Sequence, residues 1–202
     1  MIVNGWEYMT KTAAVLPFSP NSPVYVDGML STLYYRTREA GLIEKVFCGD
    51  NPNHDQFIRM FDLSKKVLQI MCEVKDAGTE AERTIPVGFC WTEFPRGVDG
   101  ARAAFCGFAF FKRSRQMRAL GILGLAYWFR GLKIDVLHGI ILKSNTNALA
   151  YAHKLGFIDT ATVPDYLFHQ GKLVPACAVI RYASNFLPPY DKWLADNAVE
   201  KG

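Results

Sequence analysis

Three strand-length runs in succession constrain this chain more than any other feature. Val67 to Val74, Thr84 to Phe94 and Ala101 to Lys112 are apolar stretches of that length, separated by the turn-forming segments Asp76-Ala77-Gly78-Thr79 and Pro95 to Gly100. Connections this short suit antiparallel neighbours, because a parallel return needs a dozen or more residues. A meander of three strands follows. The period then changes. Leu120, Ile122, Leu123, Leu125, Ala126, Trp128 and Phe129 make Leu120 to Arg130 almost wholly apolar up to Gly131, which predicts a helix buried against the sheet.

Ile134 to Leu142 reads as a further strand. Ala148, Leu149, Ala152 and Leu155 then share one face of a helix that Ser144 or Asn145 can cap and Gly156 ends. Thr160 to Gln170 and Ala176 to Ala183 are two strands around Gly171-Lys172. Before the meander, Met29, Leu33, Tyr34, Thr37 and Ala40 recur at helical spacing up to Gly41, and His54 to Phe61 reads as a second helix after a loop begun by Asn51 to Asn53. Up to about Val26, Pro17, Pro20 and Pro23 favour an extended lead-in over a regular element. At the other end, Leu187-Pro188-Pro189-Tyr190 leads into a short polar tail with Trp193. The chain of 202 residues therefore divides into a lead-in (1–28), one α/β domain (29–185) and a tail (186–202).

Half the residues are hydrophobic and 21% charged, a globular composition that excludes a largely disordered chain. Cys48, Cys72, Cys90, Cys106 and Cys177 form no C-x-x-C pair and have no His at zinc-finger spacing, so they read as reduced thiols and no metal site is expected. Met1 to Tyr8 lacks the pattern of a leader, and no run approaches the roughly 18 apolar residues of a membrane span, so a cytoplasmic protein without a membrane partner is expected. The net charge of +4 is mild. Its placement says more: Lys112, Arg113, Arg115 and Arg118 fall together with no acid among them, a counter-charge for an anion.

The run Asn145-Thr146-Asn147-Ala148-Leu149-Ala150-Tyr151-Ala152-His153-Lys154-Leu155-Gly156-Phe157 resembles the Asn-x-x-Ala-(x)n-Lys-Leu-Gly-Phe segment of the GNAT superfamily, the acyl-CoA-dependent N-acyltransferases. The order of elements from about residue 29 to 184 is similar too, so the chain reads as a divergent member. The resemblance implies an α/β (α+β) fold with a central mixed, mostly antiparallel, splayed sheet of about six to seven strands flanked by about four helices. It implies acetyl-CoA or another acyl-CoA as co-substrate, and direct attack by an amine acceptor in a ternary complex. Arg118-Ala119-Leu120-Gly121-Ile122-Leu123 is similar to the family's diphosphate segment, Gln or Arg, two residues, Gly, one residue, Gly or Ala, with Leu123 departing from it. A loop feeding a helix N-terminus offers free N–H groups to a diphosphate.

The implied co-substrate residues are thus Arg118, Ala119, Gly121 and Ile122 at the diphosphate, and Lys112, Arg113 or Arg115 at the 3'-phosphate. Backbone N–H groups from Phe110, Phe111 and Lys112 would serve the thioester carbonyl, and Asn145 would cap the helix. Glu93 is the carboxylate best placed to accept the amine's proton, and His138 a second candidate whose alternative is a structural strand histidine. Many relatives carry a Tyr acid seven residues after the capping Asn. Here that position is Ala152, and Tyr151 beside it is expected to point about 100° away. Tyr34, Tyr35, Arg36 and Arg38 can wall the acceptor site or simply form an amphipathic helix. Two other functions stay open: modification of a nucleic-acid base, suggested by the basic balance, and a binding module without catalysis, suggested by Ala152 and Leu123.

Overall fold

The computed structural model describes residues 8–18, 28–47, 51–61, 66–94, 102–169 and 171–197. The elements run β1 (Ala13–Pro17), α1 (Met29–Glu39), α2 (Ile43–Val46), α3 (His54–Met60), β2 (Lys66–Lys75), β3 (Arg83–Glu93), β4 (Ala103–Phe110), α4 (Met117–Ala126), β5 (Val136–Leu142), α5 (Thr146–Lys154), β6 (Ile158–His169), β7 (Lys172–Tyr182) and α6 (Ala183–Asn197). A π-helical turn, Tyr127–Gly131, continues α4. The strands form one sheet in the order β1-β2-β3-β4-β5-β7-β6, antiparallel throughout except at β4–β5.

Each face of the sheet carries its own core. On one face Val15, Met71, Cys90 and Leu137 meet Leu120, Leu123, Ala126 and Trp128 of the α4 region, with Leu155 and Phe157 beyond. On the other, Leu16, Ile70 and Phe89 meet Leu33, Phe57 and Phe61 of α1 and α3. Strand alternation sorts these residues: neighbours along β2 or β3 point to opposite faces and directly paired residues to the same one. Val87 has no opposite number, because Met71 pairs with Gly88 and Cys72 with Pro86, and the resulting bulge adjoins the end of β4.

The sequence and the structure part at both ends. Ala13–Pro17 form a strand with every residue from Ala13 to Leu16 buried, where the prolines suggest an irregular lead-in. Pro17 closes the strand at the sheet edge, a place proline tolerates. The turn-rich segment Ser19–Pro23, the junction Pro95–Gly100 and Cys48 lie outside the described residues. Beyond β7 the chain is helical rather than a polar tail. Phe186 and Tyr190 of α6 stack with ring centroids 5.4 Å apart and are buried beside Phe129. Pro188 and Pro189 stand inside that helix beyond its first turn, so neither donates an intrahelical bond, and Asn185 O accepts from Arg181 Nη2 at 3.1 Å instead.

Candidate functional site

β4 lies parallel to β5 over only three residue pairs, Ala103–Val136, Ala104–Leu137 and Phe105–His138. Beyond them β4 stays with β3 and β5 with β7, so the strands part and leave backbone groups facing the gap without a ladder. A cavity of about 280 Å³ occupies the opening. Ala148, Tyr151, Ala152 and Leu155 of α5 border it on one side; Lys45 and Val46 of α2 and the indole of Trp91 border it on the other. Gly107 is required in β4 here, because a Cβ on it would lie 2.2 Å from the Trp91 ring.

α5 is positioned by the segment that carries the resemblance. Asn145 Oδ1 accepts the Ala148 N–H at 3.3 Å at its start, and Gly156, at φ +80°, ends it, with the Phe157 N–H donating to Ala152 O at 3.0 Å. Ala152 and Tyr151 both line the cavity, so the 100° between them does not carry Tyr151 away from the opening. The phenol is long enough to cross to the neighbouring helix. Its hydroxyl donates to Met117 O at 2.8 Å, its ring meets Phe108 and Phe110 edge-on, and burial pushes its pKa well above the usual range.

The diphosphate segment needs correction. Arg118 to Leu123 lie inside α4, which begins after Gln116, because Leu120 and Leu123 are fully buried against the sheet and hold the segment helical. The connection is 111–115, where Ser114 Oγ accepts the Gln116 N–H at 2.9 Å. The first intrahelical bond from this turn is Leu120 N–H to Gln116 O at 2.9 Å, so the N–H groups of Met117, Arg118 and Ala119 precede it, and no side chain caps them. Two residues earlier, Gln116-Met117-Arg118-Ala119-Leu120-Gly121 follows the same pattern except that Ala119 stands where it has Gly. Gly121 itself faces α5: a Cβ there would meet Tyr151 Oη at 2.3 Å and Leu155 Cδ2 at 2.7 Å. Ile122 packs against the core.

Lys112, Arg113, Arg115 and Arg118 are exposed around this helix start, with no carboxylate at ion-pair distance among the described residues. One expected thioester donor is committed elsewhere, since the Lys112 N–H bonds Val87 O at 3.1 Å. Phe110 packs on the α4 side of the sheet and Phe111 on the α1 side.

The candidate acid–base residues lie apart from the cavity lining. Glu93 ends β3, half exposed, with its Oε2 3.2 Å from Lys66 Nζ. His138 stands on the face away from α4, its ring 5.8 Å from that of Phe105. The α1 wall is likewise displaced: Tyr34 is buried, Tyr35 stacks on His54 at 5.7 Å, and Arg36 lines a separate groove with Phe111 and Lys112. Lys45 and Val46, which the sequence did not single out, take the place beside the opening because the short α2 follows α1 over the sheet. Cys106 also lines the cavity, and burial pushes its thiol up to about 12, which disfavours the thiolate there. Among the described residues there is no cluster of three or more metal-binding side chains and no helix long and apolar enough to cross a membrane.

No protein-family model and no curated protein matches the sequence. Solved structures do match the fold. Spermidine N-acetyltransferase from Vibrio cholerae, in complex with CoA and spermine, superposes with a TM-score of 0.66 at 12% identity, covering 87% of this chain and 98% of that one. Mycobacterium smegmatis RimJ in complex with CoA-disulfide gives 0.65 at 12% identity, covering 93% and 91%. A GNAT-family acetyltransferase from Bacillus anthracis gives 0.63 at 11% identity, covering 88% and 98%. With its seven-stranded sheet opening between β4 and β5, the chain has the GNAT acetyltransferase fold.

Proposed function

We propose that this chain is an acyl-CoA-dependent N-acyltransferase that passes an acyl group from a CoA thioester to an amine by direct attack within a ternary complex. One observation carries the reading: the sheet opens at Phe105 and His138 into an apolar cavity, and Tyr151 in its wall bonds the first residue of α4, where uncapped N–H groups meet four exposed cations. Donors of that kind suit a diphosphate, and exposed arginines suit a further phosphate. Two of the similar solved structures hold CoA or its disulfide, which supports the same co-substrate here.

The thioester supplies the activated acyl carbon. The chain's own part is to bind, orient and keep water out. Edge groups of β4 and β5 facing the gap can engage the amides of an extended ligand as a strand would, and N–H groups there can meet the carbonyl oxygen as it gains charge. The attacking nitrogen must arrive neutral. No carboxylate is among the described residues lining the cavity, so the amine's proton leaves through water at the mouth, for which Glu93, ion-paired with Lys66 and half exposed, is the candidate acceptor. Tyr151, whose hydroxyl is committed to Met117 O, does not take that role, and His138 packs against Phe105 outside the described lining of the cavity.

Calorimetric titration with CoA tests the reading. Saturable binding that weakens with added salt is the expected result, followed by acyl transfer from a CoA thioester across a panel of amines. A folded protein that binds no CoA overturns it and favours a module without catalysis. CoA binding with transfer only to a nucleic-acid base would redirect the acceptor.

A further inference from the structure

A second constellation stands away from the sheet opening, where α1 meets α3. Ser31 Oγ lies 2.8 Å from His54 Nε2, and His54 Nδ1 lies 3.1 Å from Asp55 Oδ1. None of the three lines the cavity between β4 and β5. Aromatic rings hold the imidazole in place: Tyr34 meets it edge-on at 5.4 Å, and Tyr35 stacks on it at 5.7 Å. The carboxylate favours the tautomer with its proton on Nδ1, which leaves the Nε2 lone pair for the Ser31 hydroxyl. Ser31 and His54 are half-buried, so the pair is fixed by packing yet open to a ligand.

A nucleophilic serine needs its groups in this order, and the arrangement is defined by geometry and roles rather than by sequence position. A fourth part is present as well. Ser31 sits in the first turn of α1, where the first intrahelical bond runs from the Thr32 N–H to Gly28 O at 2.9 Å, so the N–H groups of Leu30 and Ser31 come before it. Gly28, the capping residue, has no side chain to occupy them. Donors on the serine and its neighbour suit a carbonyl oxygen that gains charge under attack. A clamp joining α1 to α3 would need only the bond between Ser31 and His54. The carboxylate on the other ring nitrogen and the uncapped donors are what acylation of the serine requires.

We propose that Ser31, His54 and Asp55 form a hydrolytic centre separate from the acyl-CoA site, acting on aryl esters of small acyl groups. Tyr35 is 52% exposed, and its ring offers a flat apolar surface beside His54 on which an aromatic leaving group can stack. Ser31 Oγ attacks the ester carbonyl carbon while its proton passes to His54 Nε2. The new C–O bond displaces the phenol oxygen, which leaves with the bonding pair and takes that proton from the imidazole. Water then attacks the acyl-serine by the same route, so the products are a carboxylic acid and a phenol, and Ser31 is restored. Asp55 is a positioning residue that acts through His54.

The test is hydrolysis of p-nitrophenyl acetate by the full chain, together with labelling by phenylmethylsulfonyl fluoride located by peptide mass spectrometry. The wild type is expected to turn over the ester and to carry the sulfonyl group on Ser31. Ser31→Ala and His54→Gln, each checked for folding by its thermal transition, should lose at least about 100-fold in turnover, and Ser31→Ala should lose the label. Asp55→Asn should lower kcat roughly tenfold with KM unchanged, less than a buried carboxylate would, because Asp55 is largely exposed and water screens it. A wild type that neither hydrolyses the ester nor takes the label on Ser31 overturns the proposal. Turnover kept at the wild-type rate in Ser31→Ala or in His54→Gln overturns it too. The assay holds no CoA, so its failure leaves the acyltransferase reading standing.

Discussion

Tyr151 shows how a residue adjacent to an expected position acquires a different task. Burial raises the pKa of its hydroxyl, which donates a hydrogen bond to Met117 O, so it fixes the first turn of α4 against α5. Tyr151→Phe should therefore change turnover by less than about tenfold, where loss of a general acid costs roughly 100-fold or more. The same variant should lower stability by about 1 kcal/mol through the lost hydrogen bond. Gly121 is the other half of this contact. Gly121→Ala forces a methyl group against Tyr151 Oη and Leu155, and overpacking of this kind costs about 1–3 kcal/mol. Urea unfolding of the double mutant should show the Gly121→Ala cost reduced by at least about 0.5 kcal/mol once the hydroxyl is gone; simple additivity would separate the two residues. At this scale the sequence was legible where chemistry is local. Asn145 caps α5 through its own side chain, as its position suggests. Tyr151 was not, because its direction depends on a phenol reaching across to a second helix.

Among the elements, α4 was legible in kind and misread in register. Its apolar run announces a buried helix, but the start is fixed by Ser114 and Gln116, polar residues whose turn has no strong spacing signal. With the helix beginning at Met117, Arg113 and Arg115 belong to the approach to its N-terminus. Arg113→Ala and Arg115→Ala should each weaken CoA binding by roughly threefold, the modest effect of an exposed charge, and weaken dephospho-CoA less. Equal losses for the two ligands would move these arginines to the diphosphate or the acceptor. β1 and α6 escaped the sequence for a shared reason: prolines mark both, and their regularity comes from packing against residues far away in the chain. Phe186→Ala should cost about 3 kcal/mol in urea unfolding, since the side chain is buried between Phe129 and Tyr190. A change under about 0.5 kcal/mol would mean that α6 does not contribute to the core.

The whole molecule is two antiparallel half-sheets, β1–β4 and β5–β7, joined along three residue pairs. The order of strands and helices was readable because each strand's apolar run is bounded by turn residues. The width of the opening was not, since where two parallel strands part is set by helices above and below them. The short seam has a mechanical meaning. Across Cys106–Phe110 and Gly139–Leu142 the sheet lacks rungs, so the halves can open about the seam while β2 and β3 stay protected. A ligand lying in the gap would supply those rungs itself. CoA should then slow amide hydrogen exchange at Gly107–Phe110 and Gly139–Leu142 while leaving β2 unchanged, and should raise the thermal midpoint with its concentration. Uniform protection across all seven strands would argue against opening at the seam. On this view the seam makes the protein a structural composite, a sheet that reaches full continuity only with its ligand as the missing strand.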